Sequence, residues 1–572
     1  MLRILDKPAG VTTHTSLSEE EAKRLHLDPN DGLLEHLSLR SGRKLLPIHR
    51  LDVGTSGTLL AWESDGSPGA LAAMTQLAQA FEGREIDKTY LFLTDRQPRR
   101  GFKSGDKIES HITRVRSGGS NKQGPQYISH SPTPQEPINS VTTFEKIREH
   151  GKYTLWRAKP LTGKPHQIRL HAENAGIAIL GDTEHGGSSF PTLCLHAAAA
   201  SLKDTAAGFE AASEAPIWYE RLELLDDPVL VSWLAGVDRR ERLNRSLRLL
   251  GVAISETRRE LHGESVGNSS GGGSGSGFGG IDLRLDRLGE VCQFHWYGVP
   301  NRPKQELAET DIQRIRHLAE IVGIKDWWIQ YRSNRGGGQN QELVVTSHES
   351  LPKRWHASEE GLRFLFCRDR GLSSGLFLDQ RANRRWVTVN RPQSLLNLFC
   401  YTGGFSAAAA AAGAEHVVSV DLSRTFLEWA KENFQANRLD PADARYEFRA
   451  MEARDYLKWA EKKGLKFDLV VCDPPSFSRT DSGVFRIETE LEALITSSLA
   501  VTKDGGRLLF STNFENWSAQ EFFFRVTEIV KKLQAKGTRH FTLERTPSPD
   551  WDFEFPREPR RMKSVFVKVT KN

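Results

Sequence analysis

The sequence predicts a mixed-sheet α+β domain over residues 1–225 and an α/β Rossmann-like domain over 391–572, with room between them for a further unit. Three observations predict them. The chain of 572 residues is too long for one ordinary domain, and at ~150 residues per domain it allows three or four. Up to about residue 225, short apolar runs such as Leu193-Cys-Leu-His-Ala-Ala198 are separated by Gly and Pro turns, a pattern of strands in a mixed antiparallel sheet. From about residue 393 the rhythm changes. Apolar runs starting at Ser394, His416, Phe467 and Arg507 alternate with helical stretches, as in a parallel sheet with crossover helices. Between them, Phe426, Ala430 and Phe434 share one helix face at four-residue spacing.

Composition excludes more than it assigns. Hydrophobic residues at 38% and charged residues at 26% are globular proportions. Mean hydropathy is −0.48, and no apolar run approaches the ~20 residues that cross a bilayer. The opening Met1-Leu-Arg-Ile-Leu-Asp-Lys-Pro8 carries charges where a signal peptide is apolar, so a cytoplasmic protein without a membrane partner is expected. Lys plus Arg total 78 against 73 Asp plus Glu, a net +5 that permits a nucleic-acid partner without demanding one. Five cysteines form no Cys-x-x-Cys pair, so neither a metal site nor a disulfide framework is expected.

Two stretches have loop composition: Ser117–Gly124 continuing to Ser131–Pro137, and the Gly/Ser run Gly267–Gly280. By composition alone the Gly/Ser run reads as a domain boundary. A basic stretch, Asp238-Arg-Arg-Glu-Arg-Leu-Asn-Arg-Ser-Leu247, reads either as a solvated helix face or as phosphate contacts from Arg239, Arg240, Arg242, Arg245 and Arg248.

The first constellation is His49-Arg-Leu-Asp52-Val-Gly-Thr-Ser-Gly57, a polar loop with a carboxylate beside an arginine and small residues that permit close approach. By itself such an Asp reads as a turn or cap residue. Three more motifs accompany it: Leu5-Asp-Lys-Pro-Ala-Gly-Val11, Lys88-Thr-Tyr90, and Thr162-Gly-Lys-Pro-His-Gln-Ile-Arg169-Leu-His171 with Gly181-Asp182 and Leu195-His-Ala197. Together, in this order, they resemble the RluA-type pseudouridine synthases. The resemblance implies cofactor-free isomerisation of uridine: Asp52 as nucleophile or base, Arg169 as the cation that keeps it ionised, Tyr90 stacked on the base, and Arg50 inserted where the flipped base leaves its helix. The strand that normally precedes Leu5 is expected to be nearly absent.

The second constellation begins at Asn397-Leu-Phe-Cys-Tyr401-Thr402-Gly403-Gly404, a strand running into a Gly turn and a helix, with Asp421 about 20 residues on, where an acid can hold a ribose diol. A dinucleotide site lacks its Gly-x-Gly-x-x-Gly. Asp473-Pro-Pro-Ser-Phe477 ends the fourth strand, where Pro forces a rigid loop. This set resembles the class I S-adenosylmethionine-dependent methyltransferases. The resemblance implies a cofactor site at Asn397, Tyr401, Thr402, Gly403, Asp421, Glu452 or Asp455, and Asp473, with Phe477 stacking on a flipped base. The two acids at 452 and 455 also read as helix caps.

Gly375-Leu-Phe-Leu-Asp-Gln-Arg381, with the motifs above, is similar to the ribosomal RNA methyltransferases called RlmI and RlmK. That resemblance implies a small α+β accessory RNA-binding domain over 230–390, makes the Gly/Ser run an insertion inside it and moves the boundary to 226–234, so that residues 230–572 are expected to hold together as a unit. Methylation of cytosine C5 needs a cysteine that adds to C6. Phe510-Ser-Thr-Asn513 has none after the fifth strand, and Cys472 reads as a buried strand residue. The set, with Asn513 and the late Arg557, Arg560 and Arg561, fits guanine N7. The resulting expectation is a fused enzyme acting on large-subunit ribosomal RNA rather than DNA. The alternatives are a methyltransferase whose first half only binds RNA, and a non-catalytic ribosome-assembly factor.

Overall fold

The computed structural model describes residues 1–15, 32–83, 85–115, 126–202, 208–261, 282–298, 307–331, 344–370, 374–480, 483–537, 539–547, 550, 553 and 562–570. The Gly/Ser run, the loop 117–124 and the late arginines 557, 560 and 561 lie outside these residues. Among the described residues, no helix is long and apolar enough to cross a membrane.

The first half is one large mixed sheet. Leu2–Lys7 lies antiparallel to Ser56–Ser64, which runs parallel to Leu195–Leu202; that strand pairs in turn with Asp87–Thr94. The opening strand takes in the Leu5-Asp-Lys motif itself, with only Leu2 to Ile4 ahead of it, and its six residues are fully paired: Leu2 sits opposite Trp62 and Lys7 opposite Gly57. Its partner supplies a continuous buried run, Leu59 to Ala61, which holds the short strand by burial as well as by its ladder.

A five-stranded sheet follows, in the order Thr257–Leu261, Asp282–Leu288, Val291–Gly298, Asp326–Tyr331, Val344–Thr346, with the helix Glu309–Ile321 crossing between its parallel pair. The last sheet has seven strands. In chain order they lie third, second, first, fourth, fifth, seventh, sixth across the sheet, from Tyr446–Ala450 at one edge to His540–Arg545 at the other. The first five are parallel, and Lys563–Thr570 returns antiparallel. The order reverses between Ser394–Leu398 and Phe467–Cys472, and ligands of open α/β sheets bind outside the carboxyl ends of the strands at such a reversal.

The helix Pro228–Leu249 belongs to both halves. Asp227 caps it, accepting from the Leu230 N–H at 3.1 Å, and Pro228 fills the first turn, where no N–H is needed. Its first half packs Leu230, Trp233 and Leu234 into one core with Trp218 and Leu225 of the first half and Phe294 and Ile329 of the accessory sheet. Its second half packs Leu243 and Leu247 against Leu5, Leu33 and Leu37. The arginine run is neither a solvated face nor a free phosphate comb. Arg242 is buried, donating to Asp6 at 2.6 Å and Asp238 at 2.7 Å, and Arg245 reaches Asp6 at 3.0 Å. Asp238 is a local partner, four positions away on the same helix, whereas Asp6 lies up to 239 positions away in the chain, beyond the reach of any local pattern.

Candidate active sites

The first site is the loop from His49 to Thr55, fixed from beneath by the turn after the opening strand. The Thr13 hydroxyl donates to the Leu51 carbonyl at 3.1 Å and accepts from its N–H, and the Gly10 N–H donates to the Val53 carbonyl at 2.8 Å. Lys7 is fully buried, its ammonium donating to the carbonyls of Pro8, Val53 and Thr55 at 3.1, 3.1 and 2.8 Å. Burial lowers its pKa to about 7, against the opposing pull of Asp52. Gly57 has φ +115°, and a Cβ there would meet the Ala197 carbonyl oxygen at 2.2 Å, so only glycine lets the loop leave along the neighbouring strand.

Asp52 stands in this loop, its carboxylate 3.8 Å from the Arg169 guanidinium. Arg169 comes from the helix Gln167–Asn174 and is clamped by both oxygens of Asp182 at 2.7 Å and by Glu184 at 2.8 Å. Burial works against the guanidinium's charge, but Asp182, with Asp52 and Glu184, outweighs it and raises its pKa further. Tyr90, half-buried on Asp87–Thr94, has its phenol pushed up by burial and then by Asp52, so it is a hydrogen-bond donor at neutral pH. Arg50 is exposed beside them. His49 serves the scaffold: its Nε2 accepts from the Leu60 N–H at 3.1 Å and burial lowers it to about 4. The structure therefore brings Asp52, Arg169 and Tyr90 together, with Lys7 beneath them.

The second site is a cavity of about 470 Å³ at the reversal of the parallel sheet, within the range of roughly 300–1,000 Å³ typical of small-molecule sites. Tyr401, Asp421, Glu452, Asp473 and Asn513 line it, together with Phe377, Asp379 and Gln380. The loop after the strand Ser394–Leu398 holds Phe399 at φ +54° and Tyr401 at φ +49°, a left-handed conformation that costs bulky residues and recurs at ligand sites. The Tyr401 N–H donates to Asp421 at 2.9 Å and the Ser423 N–H to its other oxygen at 2.9 Å. The carboxylate is thereby aimed with lone pairs to spare for a diol. Glu452 caps the helix Ala453–Lys462, accepting from the N–H groups of Arg454 and Asp455, and also faces the cavity. Gln380 donates to Asp473 at 2.9 Å. Burial, then the Asp379 carboxylate, raise Asp473 to about 7.

Five of the expected residues do not line this cavity. Asn397 is buried, donating to the Ser406 hydroxyl at 3.0 Å, and Thr402 is buried against the Gly375 carbonyl. Gly403 has φ +73° at the turn into the helix Gly404–Ala411, where a Cβ would meet Ala430 at 2.8 Å. All three shape the loop rather than touch its contents. Asp455 points outward from the first turn of its helix, its side chain 64% exposed. Phe477 is exposed on the hairpin Phe477–Thr480 and Gly483–Arg486, next to the lining residue Ser478.

Residues 2–174 match the family of RNA pseudouridylate synthases, and residues 338–540 that of S-adenosylmethionine-dependent methyltransferases. The chain joins a pseudouridine synthase domain to a methyltransferase domain. It is 31% identical over 282 residues to the ribosomal RNA large subunit methyltransferase K/L of Chromohalobacter salexigens, covering 48% of this chain and 36% of the relative. The Allochromatium vinosum protein of the same name is 34% identical over 267 residues, covering 46% and 33%. The chain thus spans about a third of the length of these relatives. Human RNA pseudouridylate synthase domain containing 4 aligns over 39% of this chain and 90% of its own, at 20% identity and a TM-score of 0.27.

The methyltransferase cavity suits S-adenosylmethionine by its donor set. Asp421 can take the ribose hydroxyls, the rings of Tyr401 and Phe377, 5.2 Å apart, offer apolar surface, and Asp473 offers a carboxylate to a cation. Among the described residues no cysteine lines this cavity. Cys472 is buried, and burial pushes its thiol well above its ordinary value. Sequence reasoning missed Lys7, Asp379 and Gln380. Each lies inside one of the motifs quoted above, just after the apolar residues near its start.

Proposed function

We propose that this protein is a bifunctional RNA-modifying enzyme that isomerises uridine to pseudouridine and methylates guanine N7 in large-subunit ribosomal RNA. One observation carries the reading: two sites of different chemistry stand in one chain, Asp52 against Arg169 at 3.8 Å and Asp473 in a separate 470 Å³ cavity.

In the synthase domain, Asp52 acts on the flipped nucleotide while Arg169, clamped by Asp182, holds the carboxylate in place. Tyr90 covers the base and keeps its proton for hydrogen bonding. Exposed Arg50 fills the gap in the RNA stack. In the methyltransferase domain, Asp421 and Glu452 hold the cofactor, which when bound supplies an electrophilic methyl group. The Ser476 hydroxyl donates to Asn513 Oδ1 at 2.8 Å, leaving the amide nitrogen's donors for a base carbonyl such as guanine O6. Guanine N7 carries its own lone pair and needs only orientation, which agrees with a cavity wall without a cysteine.

Nucleoside mapping of ribosomal RNA from a deletion strain, complemented with wild type, Asp52→Ala or Asp473→Ala, tests this. We expect one pseudouridine lost with the first variant and one 7-methylguanosine with the second. Loss of methylation alone would reduce the first half to an RNA-binding module, methylation at cytosine C5 would move the target base, and an unmodified pattern in every strain would make the protein an assembly factor.

A further inference from the structure

The loop Ser131–Pro137 follows the strand Gln126–His130, which pairs antiparallel with Lys107–Val115 and sets His111 directly opposite His130. Strand residues alternate between faces. Ser110 and Ser129 face inward: the Ser110 hydroxyl meets His171 at 2.9 Å and the Ser129 hydroxyl accepts from Asn174 at 2.9 Å, both on the helix that carries Arg169. His111 and His130 therefore stand together on the outer face, their rings stacked with centroids 5.3 Å apart.

The loop turns back over that face. The Glu136 N–H donates to the Thr133 carbonyl at 3.1 Å and the Thr133 N–H to the Glu136 carbonyl at 2.9 Å, a tight turn that leaves the Glu136 carboxylate 3.2 Å from His130 Nε2. One ligand atom each from His111, His130 and Glu136 lies within 4.8 Å of the other two. The opposite ring nitrogens are tied to backbone: His111 Nδ1 lies 2.8 Å from the Pro137 carbonyl and His130 Nδ1 3.0 Å from the Ser131 carbonyl. A carbonyl only accepts, so in the neutral ring each Nδ1 carries the proton and each Nε2 presents a lone pair. Metal-binding imidazoles are held in this way, an outer carbonyl fixing the tautomer. Zinc bonds of ~2.0–2.1 Å set tetrahedral ligands about 3.4 Å apart. The His130–Glu136 separation already matches, and these side chains, 31% and 48% exposed, have room to move.

A second cluster, His166, Glu184 and His185, has comparable spacing but is already engaged. Glu184 pairs with Arg169 at 2.8 Å, and His166 Nδ1 and His185 Nε2 bond each other at 3.0 Å. A metal ion there would sit beside a guanidinium. On the outer face the only ion pair that Glu136 makes among the described residues is with His130, itself a ligand of the set.

We infer that His111, His130 and Glu136 bind one divalent transition-metal ion of the zinc class, with the fourth position left to water, and that the ion clips the loop Ser131–Pro137 to the strand pair behind the Arg169 helix. Two imidazoles and a carboxylate suit zinc better than magnesium or calcium, which take oxygen ligands. The set contains no cysteine, so cysteine spacing gives no sign of it. The site goes beyond the two reactions proposed above and does not depend on them.

The test uses the full chain, freed of metal by a chelator and titrated with zinc ions against a chromophoric competitor, with backbone hydrogen exchange followed with and without zinc. We expect one zinc per chain and slower exchange across residues 129–139. His111→Ala and Glu136→Gln change the outer face and should leave the zinc-free Tm as in wild type. Each should nevertheless weaken zinc binding by more than the roughly 10–100-fold that loss of an outer-shell partner costs. His185→Ala, at the second cluster, should bind zinc as wild type does. Absence of stoichiometric binding, wild-type affinity in His111→Ala and Glu136→Gln, or binding lost in His185→Ala and kept in His111→Ala would overturn the site. Zinc bound through these residues with exchange at 129–139 unchanged would overturn the clip.

Discussion

Asp52 and Asp473 are both acids at the reacting ends of their domains, and they are set up in opposite ways. Asp52 faces the Arg169 guanidinium at 3.8 Å, which is itself anchored by Asp182 and Glu184. Asp473 faces another carboxylate, Asp379, and is bonded by the neutral amide of Gln380. A carboxylate that must act on its substrate is given its counter-charge by the protein. On the proposed reading the second carboxylate receives a cationic ligand, and burial first, then the Asp379 carboxylate, lift its pKa to about 7. In the proposed function the counter-charge of the second site is the one the cofactor brings.

The sharpest way to break this contrast is at Asp52. Asp52→Ala should lower pseudouridine formation by on the order of 10³-fold or more while leaving methylation within about twofold, since removing a residue that acts on the reacting atoms costs far more than removing a binding contact. Assays of both activities on one RNA preparation check it. If both fall together, the two sites are not independent.

Next in size is the link between the halves. Asp6→Ala strips Arg242 of a partner at 2.6 Å, while Asp238 remains. Leaving a buried cation short of charge should destabilise the chain by about 3 kcal/mol, read in the denaturant midpoint, with both activities failing at the same lowered temperature. An unchanged midpoint would mean that Asp238 alone suffices.

Asp473→Asn should reduce methyl transfer at saturating RNA by about 10²-fold, mostly through the cofactor's KM, because it removes a charge and keeps the Gln380 contact. A loss confined to kcat would place Asp473 on the acceptor base instead.

The smallest effect is in pH. Asp473 is mostly neutral below pH 7 and mostly charged above it, so attraction for a cationic ligand grows as pH rises. The KM for S-adenosylmethionine should therefore fall by roughly tenfold at most from pH 6 to pH 8, and Asp473→Asn should flatten that dependence. A KM that rises over this interval would contradict the assigned charge.

The same two acids show how much the sequence discloses. Both lie in short motifs at the end of a strand or turn, where composition is under local constraint, and both are legible. Asp421 and Glu452 are legible for the same reason. Asn397, Thr402 and Gly403 pass for cofactor ligands because they share a motif with Tyr401. Asn397 lies in the strand ahead of the left-handed turn at Phe399 and Tyr401 and ties to Ser406, and Thr402 after the turn ties to Gly375. Contacts of that kind leave no mark in residue type. The opening strand is too short to read alone, although pairing with Gly57–Trp62 completes it. The arginine run discloses only its partners on its own helix, Asp238 for Arg242 and Glu241 for Arg248; Asp6 and Glu214, which come from other elements, leave no sign there.

The helix Pro228–Leu249 has a consequence for heredity. It buries Leu243 and Leu247 against Leu5 and Leu33 while its first turns are buried with Phe294 and Ile329. A gene cut near codon 230 would uncover the first set and strip Arg242 of Asp6. On this packing a clean separation near residue 230 would cost both parts buried contacts, and the lesions of the fusion should sort into two genetic classes. Changes at Asp52 or Asp473 would silence one reaction and complement each other in trans. Changes at Asp6, Arg242 or Leu247 would silence both, wherever in the reading frame they fall.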